Sequence, residues 1–210
     1  MAVLLYAFGS KMFASDATSP VSPSAPPTTQ QAPAAAPQPA RPKASTGPEK
    51  TSPGDPAMPR SAPIRLRIPK IGVDAPFIGL KIGPSGALDP PPANDTNLVG
   101  WQSSGPSPGE RGTAIIAGHL DTLTSPAVFA RLTELSPGDH FEVDRADGTT
   151  AVFLIDSVES FNKDDFPNKR VYADTPSALA RLITCAGAYD RQARDYTENL
   201  VAFAHLDRIA

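Results

Sequence analysis

The 210-residue chain carries one cysteine, Cys185, and three histidines, His119, His140 and His205. A thiol becomes a good nucleophile when an imidazole accepts its proton or, as imidazolium, stabilises the thiolate. One cysteine excludes an internal disulfide framework and a Cys-based zinc cluster, and leaves a packed small residue or a reactive thiol. Cys185 follows the apolar Leu182-Ile183-Thr184 and opens the loop Ala186-Gly187-Ala188-Tyr189. His119 is placed the same way, after Thr113-Ala114-Ile115-Ile116-Ala117 and Gly118, whose missing side chain allows close approach of a neighbour. Strand ends are where a rigid scaffold presents reactive groups to a cleft.

The supporting groups come from nearby loops. A guanidinium keeps its charge at every physiological pH and suits an oxyanion or a substrate carbonyl; Arg191 and Arg194 follow Cys185 by six and nine residues. Asp121 is placed to orient His119. The plainer readings stay open for each: a packed thiol, a surface imidazole, a solvated charged loop, an aspartate serving its turn. His140, entering a hairpin, and His205, at the chain's end, fit the surface reading.

Elements able to hold such groups are short strands. Ile64, Leu66 and Ile68 alternate with Arg65 and Arg67, the period of a half-buried strand that ends at Pro69. Similar runs recur at 98–101, 113–117, 140–143, 150–158, 180–184 and 199–205, between turn signals such as Pro137-Gly138-Asp139 and Asp147-Gly148. The pattern predicts closed antiparallel β-structure. One helix is expected over about 126–135, capped by Ser125 with Val128, Phe129, Leu132 and Leu135 on one face, and a further short turn at 176–179. There is no internal repeat.

Composition sets the organisation. Nineteen basic against 22 acidic residues give a net charge of −3, which argues against a nucleic-acid partner. Of 25 prolines, 13 fall within residues 16–63, where the only apolar residues besides alanine are Val21 and Met58. Such a segment cannot build a core and reads as a disordered, polyproline-like spacer. Residues 1–15 hold the apolar run Ala2–Phe8, too short to span a bilayer and read as the end of a membrane anchor or as an ordinary terminus. Residues 64–210 are the folded domain. Scattered acids such as Glu134, Asp139, Glu142 and Asp144 read as solvated surface, so neither a metal site nor a cofactor is expected.

At this point the residues resemble a family. IRLRIPKIGVDAPF, AIIAGHLDT around His119, Asp165-Phe166-Pro167, LITCAG around Cys185 and YTENLVAFAHL are similar in order and spacing to the sortases, most closely the class F group typical of actinobacteria. Sortases are cysteine transpeptidases of Gram-positive cell surfaces. The resemblance implies a mainly β fold, an eight-stranded sortase barrel, with His119, Cys185 and an arginine as the catalytic set. In several classes that arginine starts the last strand, where this chain has Asn199, so the role passes to Arg194 or, next, Arg191. Thr184 is implied in substrate binding. The implied substrates are a Leu-Pro-x-Thr-Gly-like sorting signal of surface proteins and an amine acceptor such as a cell-wall precursor, handled at the outer face of the membrane behind an N-terminal anchor. The competing readings are a stalked, non-enzymatic surface β-domain and another wall cysteine transpeptidase such as an L,D-transpeptidase, whose Ser-x-Gly-Cys setting is missing.

Overall fold

The computed structural model of the protein describes residues 56–84 and 86–210. The short apolar N-terminus and nearly all of the proline-rich spacer lie outside the described residues. Among those described, eight strands form a closed barrel: β1 (Pro63–Ile68), β2 (Val73–Leu80), β3 (Val99–Gln102), β4 (Gly112–Gly118), β5 (His140–Arg145), β6 (Thr150–Asn162), β7 (Ala178–Asp190) and β8 (Asp195–Ile209). Their order around the ring is β1-β2-β3-β4-β7-β8-β6-β5, closed by β5 on β1.

The barrel follows from alternation. Leu66 and Ile68 of β1, Ala114 and Ile116 of β4, Ala180 and Leu182 of β7, and Leu200, Ala202 and Ala204 of β8 all point inward into one core with Phe141 and Phe153, whose rings stack 4.9 Å apart. Ile64 was expected to point inward and is exposed, because the pairing of β1 with β5 shifts register between Pro63 and Arg65. On the outer face Arg67 bridges Glu142 and Asp144 of β5.

Pairing is not purely antiparallel. The β2–β3 and β4–β7 pairs are parallel, and a parallel pair needs a long crossover. The first crossover is the 81–98 segment; the second spans β5 and β6. Both prove central to the site. β2 went unread as a strand because Pro76 and Gly79 interrupt its pattern.

The expected helix over 126–135 is absent: turns lead into a single 3-10 turn at Leu132–Glu134. Val128, Phe129, Leu132 and Leu135 are buried as the pattern required. The backbone amides are committed elsewhere, Phe129 N–H to the His119 carbonyl (3.0 Å) and Ala127 N–H to the Leu120 carbonyl (3.0 Å), so no i→i−4 ladder forms. The only α-helix among the described residues is α1 (Asn168–Tyr172), one turn that buries Val171. The 176–179 turn is a bend that β7 enters at Ala178.

Packing begins ahead of Ile64. Met58 is buried, its N–H on the Gly109 carbonyl at 2.8 Å, and Ser61 N–H donates to Ser107 Oγ. The wholly buried Arg145 guanidinium donates to the Pro59 and Pro108 carbonyls and pairs with Asp147 at 3.1 Å, fastening this segment to the barrel.

Candidate active site

Parallel pairing of β4 and β7 decides which residues meet. Ala117 is level with Ile183; two residues further along each chain come His119 and Cys185. Alternation puts both on the outer face, since Ile115, Ala117, Ile183 and Cys185 belong to the cluster outside the barrel while Ala114, Ile116, Ala180 and Leu182 fill its interior. The same level continues across the sheet: Cys185 is opposite Asn199 of β8, and Asn199 is opposite Phe161 of β6. One row of residues, 119, 185, 199 and 161, thus crosses four strands at one end of the barrel.

His119 is buried (4 % exposed). An added Cβ on Gly118 would stand 2.6 Å from Phe129 and 2.8 Å from Val128, so the glycine lets the 126–135 segment close over the end of β4, where the Phe129 amide holds the His119 carbonyl. On the other side the first crossover passes over the ring, and Nε2 lies 2.8 Å from the Pro91 carbonyl. A carbonyl can only accept, so Nε2 carries a proton and Nδ1 is left as the nitrogen that gains or loses one. Beside the imidazole opens a cleft lined by Ala93, Asn94, Thr96, Asp121, Thr122 and Leu123.

Cys185 is buried (7 % exposed) among Leu80, Ile115, Ala117, Ile183 and Val201. Burial pushes its thiol up to about 11, opposed chiefly by the positive charge of Lys163. Lys163 Nζ donates to Sγ at 3.8 Å and to Asp195 at 2.7 Å. Sequence reasoning missed this lysine. It opens the 3-10 turn Lys163–Asp165 directly after β6, a turn capped by the Asn162 side chain, which accepts from Asp164 N–H at 2.9 Å. Its signal was an Asn-x-Asp cap, Asn162-Lys163-Asp164, directly after Phe161, in a charge-rich stretch that reads as surface.

The remaining candidates separate. Asp121 meets Tyr196 of β8, whose hydroxyl donates to its carboxylate and is held up to about 12 chiefly by that bond. The ring thereby ties the loop after His119 to the strand beside Cys185. Arg191 and Arg194 lie exposed in the turn between β7 and β8, with Arg194 in the left-handed region at φ 55°. Thr184 alternates to the barrel interior, fully buried, with no hydrogen-bond partner for its hydroxyl; at the thiol it offers its backbone. Asn199 is 2 % exposed and its Oδ1 is likewise unpartnered among the described residues. His140 of β5 and His205 of β8 both lie level with Leu154 of β6, seven residues along that strand from Phe161, near Asp207 and Asp156 respectively.

A barrel of this order with a buried thiol and imidazole at one end of parallel neighbours has relatives. The sortase domain model matches residues 66–207. The chain belongs to the sortase family. Among solved structures it is similar to Streptococcus agalactiae sortase C1 in complex with MTSET (19% identity, TM-score 0.53, 69% of this chain and 66% of that one). It is also similar to a lid mutant of sortase A from Corynebacterium diphtheriae (19%, 0.54, 72% and 73%) and to sortase A of Listeria monocytogenes (18%, 0.53, 72% and 90%). The chain spans just under two thirds of the S. agalactiae sortase C1 chain. No curated protein matches it.

Proposed function

We propose that the protein is a cysteine transpeptidase that cleaves a Leu-Pro-x-Thr-Gly-like sorting signal and joins its acyl part to an amine of a cell-wall precursor, attaching surface proteins. The observation that carries this reading is that His119, just past the end of β4, and Cys185 of β7 each follow the paired Ala117 and Ile183 by two residues, with Ala117, Ile183 and Cys185 all in the cluster outside the barrel. Neither serves the barrel core, and a thiol and an imidazole at one strand end are the parts of a nucleophile and its acid-base partner.

In the reaction the Cys185 thiol gives its proton to His119 as its sulfur bonds to the threonine carbonyl carbon, and the carbonyl electron pair moves to oxygen. Collapse of that oxyanion expels the glycine amine, which takes its proton from His119, and leaves a thioester. The acceptor amine then attacks the same carbon, gives a proton back to His119, and the thiolate departs. A new amide replaces the old one. Arg194 or Arg191 would bring a guanidinium to the oxyanion by movement of the β7–β8 turn, and Asp121 would orient the site through Tyr196.

The class F likeness rests on the order and spacing of IRLRIPKIGVDAPF, AIIAGHLDT, Asp165-Phe166-Pro167, LITCAG and YTENLVAFAHL, and with it goes placement at the outer membrane face behind an N-terminal anchor. No helix among the described residues is long and apolar enough to cross a membrane. The test is mass spectrometry of products from a sorting-signal peptide library incubated with added amines. Amide products at the Thr–Gly bond support the reading; an inert Cys185 and no turnover of any peptide favour a non-enzymatic surface domain.

A further inference from the structure

We propose that Lys163 is a catalytic residue of this site, its ammonium group stabilising the Cys185 thiolate and then the oxyanion formed on the substrate carbonyl. The proposal rests on the transpeptidase reading above.

Three observations carry it. Lys163 Nζ is 3.8 Å from Sγ, the reacting atom, so a carbonyl carbon bonded to that sulfur brings its oxygen within reach of the same ammonium. The side chain is only 12 % exposed, unlike a lysine that serves a surface ion pair, and Asp195 holds Nζ at 2.7 Å from the β8 side. Its backbone is fixed as well. The Asn162 cap sets the turn, and β6 is locked to β8 through Phe161 opposite Asn199 and Asn162 opposite Glu198. The lysine is therefore presented by two strands to a thiol on a third.

The chemistry needs such a group. The thiol is buried, which disfavours its charged form, and the cation in contact with it offsets that cost. Asn199, level with Cys185 on β8, brings no charge. Facing the thiol alongside Lys163 are Asp195, Asp121 and Tyr196, all of which raise or leave uncompensated the cost of a thiolate. Lys163 is the one positive charge in contact with it among the described residues.

The experiment measures the rate at which iodoacetamide, an uncharged reagent, alkylates Cys185 in the full chain near neutral pH, together with turnover of a sorting-signal peptide. Lys163→Met and Lys163→Gln are expected to slow alkylation about tenfold or more, the loss that one unit of thiol pKa produces, while Lys163→Arg restores most of the rate. Alkylation at the wild-type rate in a folded Lys163→Met overturns the proposal, as does a larger loss from Arg194→Ala or Arg191→Ala than from Lys163→Met. Cys185→Ala separates the two claims: turnover that survives it defeats the transpeptidase reading, whereas dead Cys185→Ala beside fully active Lys163→Met defeats the lysine alone.

Discussion

His119 and Cys185 each come two residues after Ala117 and Ile183, a level pair on adjacent parallel strands, and so keep the same 66-residue offset. The relationship carries both groups to the same end of the β4–β7 pair, so strand register rather than sequence proximity sets their placement. Replacing either group should therefore remove chemistry without removing structure. His119→Ala is expected to lower peptide turnover by about 10²–10⁴, the usual worth of a positioned acid-base group. Circular dichroism of the variant should match the wild type.

The Pro91 carbonyl fixes the tautomer of His119. Long-range ¹⁵N–¹H correlation spectra of the neutral imidazole should show the proton on Nε2, with Nδ1 unprotonated. A neutral ring protonated on Nδ1 would mean the 81–98 crossover does not engage it.

Gly118→Ala tests how the imidazole is placed. The added methyl meets Phe129 and Val128 at under 3 Å, and these are core side chains with no free space to retreat into. Turnover is expected to fall more than thermal stability, because the displaced Phe129 amide is the one that holds the His119 carbonyl. Equal, small effects on both would show that the strand end tolerates movement.

Arg145→Met should act in the opposite way. It strips the carbonyls of Pro59 and the buried Pro108 of a charged donor, costing about 1.5–3 kcal/mol for such a bond, and loosens the segment around Met58. Denaturant unfolding should record that loss, while alkylation of Cys185, on another part of the barrel, keeps its rate.

The thiol's titration has a definite direction. Folding raises its pKa to about 11, because burial disfavours the thiolate. The folded state therefore holds the thiol proton more tightly than the unfolded chain. Its contribution to stability is complete below the unfolded thiol's pKa and is lost as pH rises through about 11. Alkylation of free enzyme should climb steadily with pH across the neutral range, and Lys163→Met should move the whole curve to higher pH, lowering the rate at each neutral pH. An unshifted curve would leave the lysine electrostatically idle.

Much of this site was legible because the chain offers so few reactive groups. With one thiol and three imidazoles, two of them at strand ends after apolar runs, His119 and Cys185 select themselves. What the residues do not reveal is that β4 and β7 pair side by side and in parallel; that depends on a crossover through β5 and β6, and long-range register leaves no local mark. The helix expected at 126–135 failed for a related reason. Its apolar spacing was real and its side chains are buried, yet the amides of Ala127 and Phe129 reach back to residues 120 and 119 instead of forward along a helix. Lys163 was passed over because a lysine among aspartates reads as solvent-facing, and only the pairing of β6 with β8 and of β8 with β7 brings it to Cys185. Arg194 and then Arg191 were implied by the resemblance once Asn199 stood where several classes have their arginine, and the structure leaves both in an exposed turn.

The central claim is that the sulfur of Cys185 carries the acyl group between donor and acceptor. Intact-mass measurement of the full chain, quenched in acid during turnover of a sorting-signal peptide, tests it directly. The expected spectrum shows the protein heavier by the acyl fragment, peptide mapping puts that mass on Cys185, and hydroxylamine or an acceptor amine removes it. Peptide turnover with no adduct on Cys185, or with an adduct on another residue, would contradict the account.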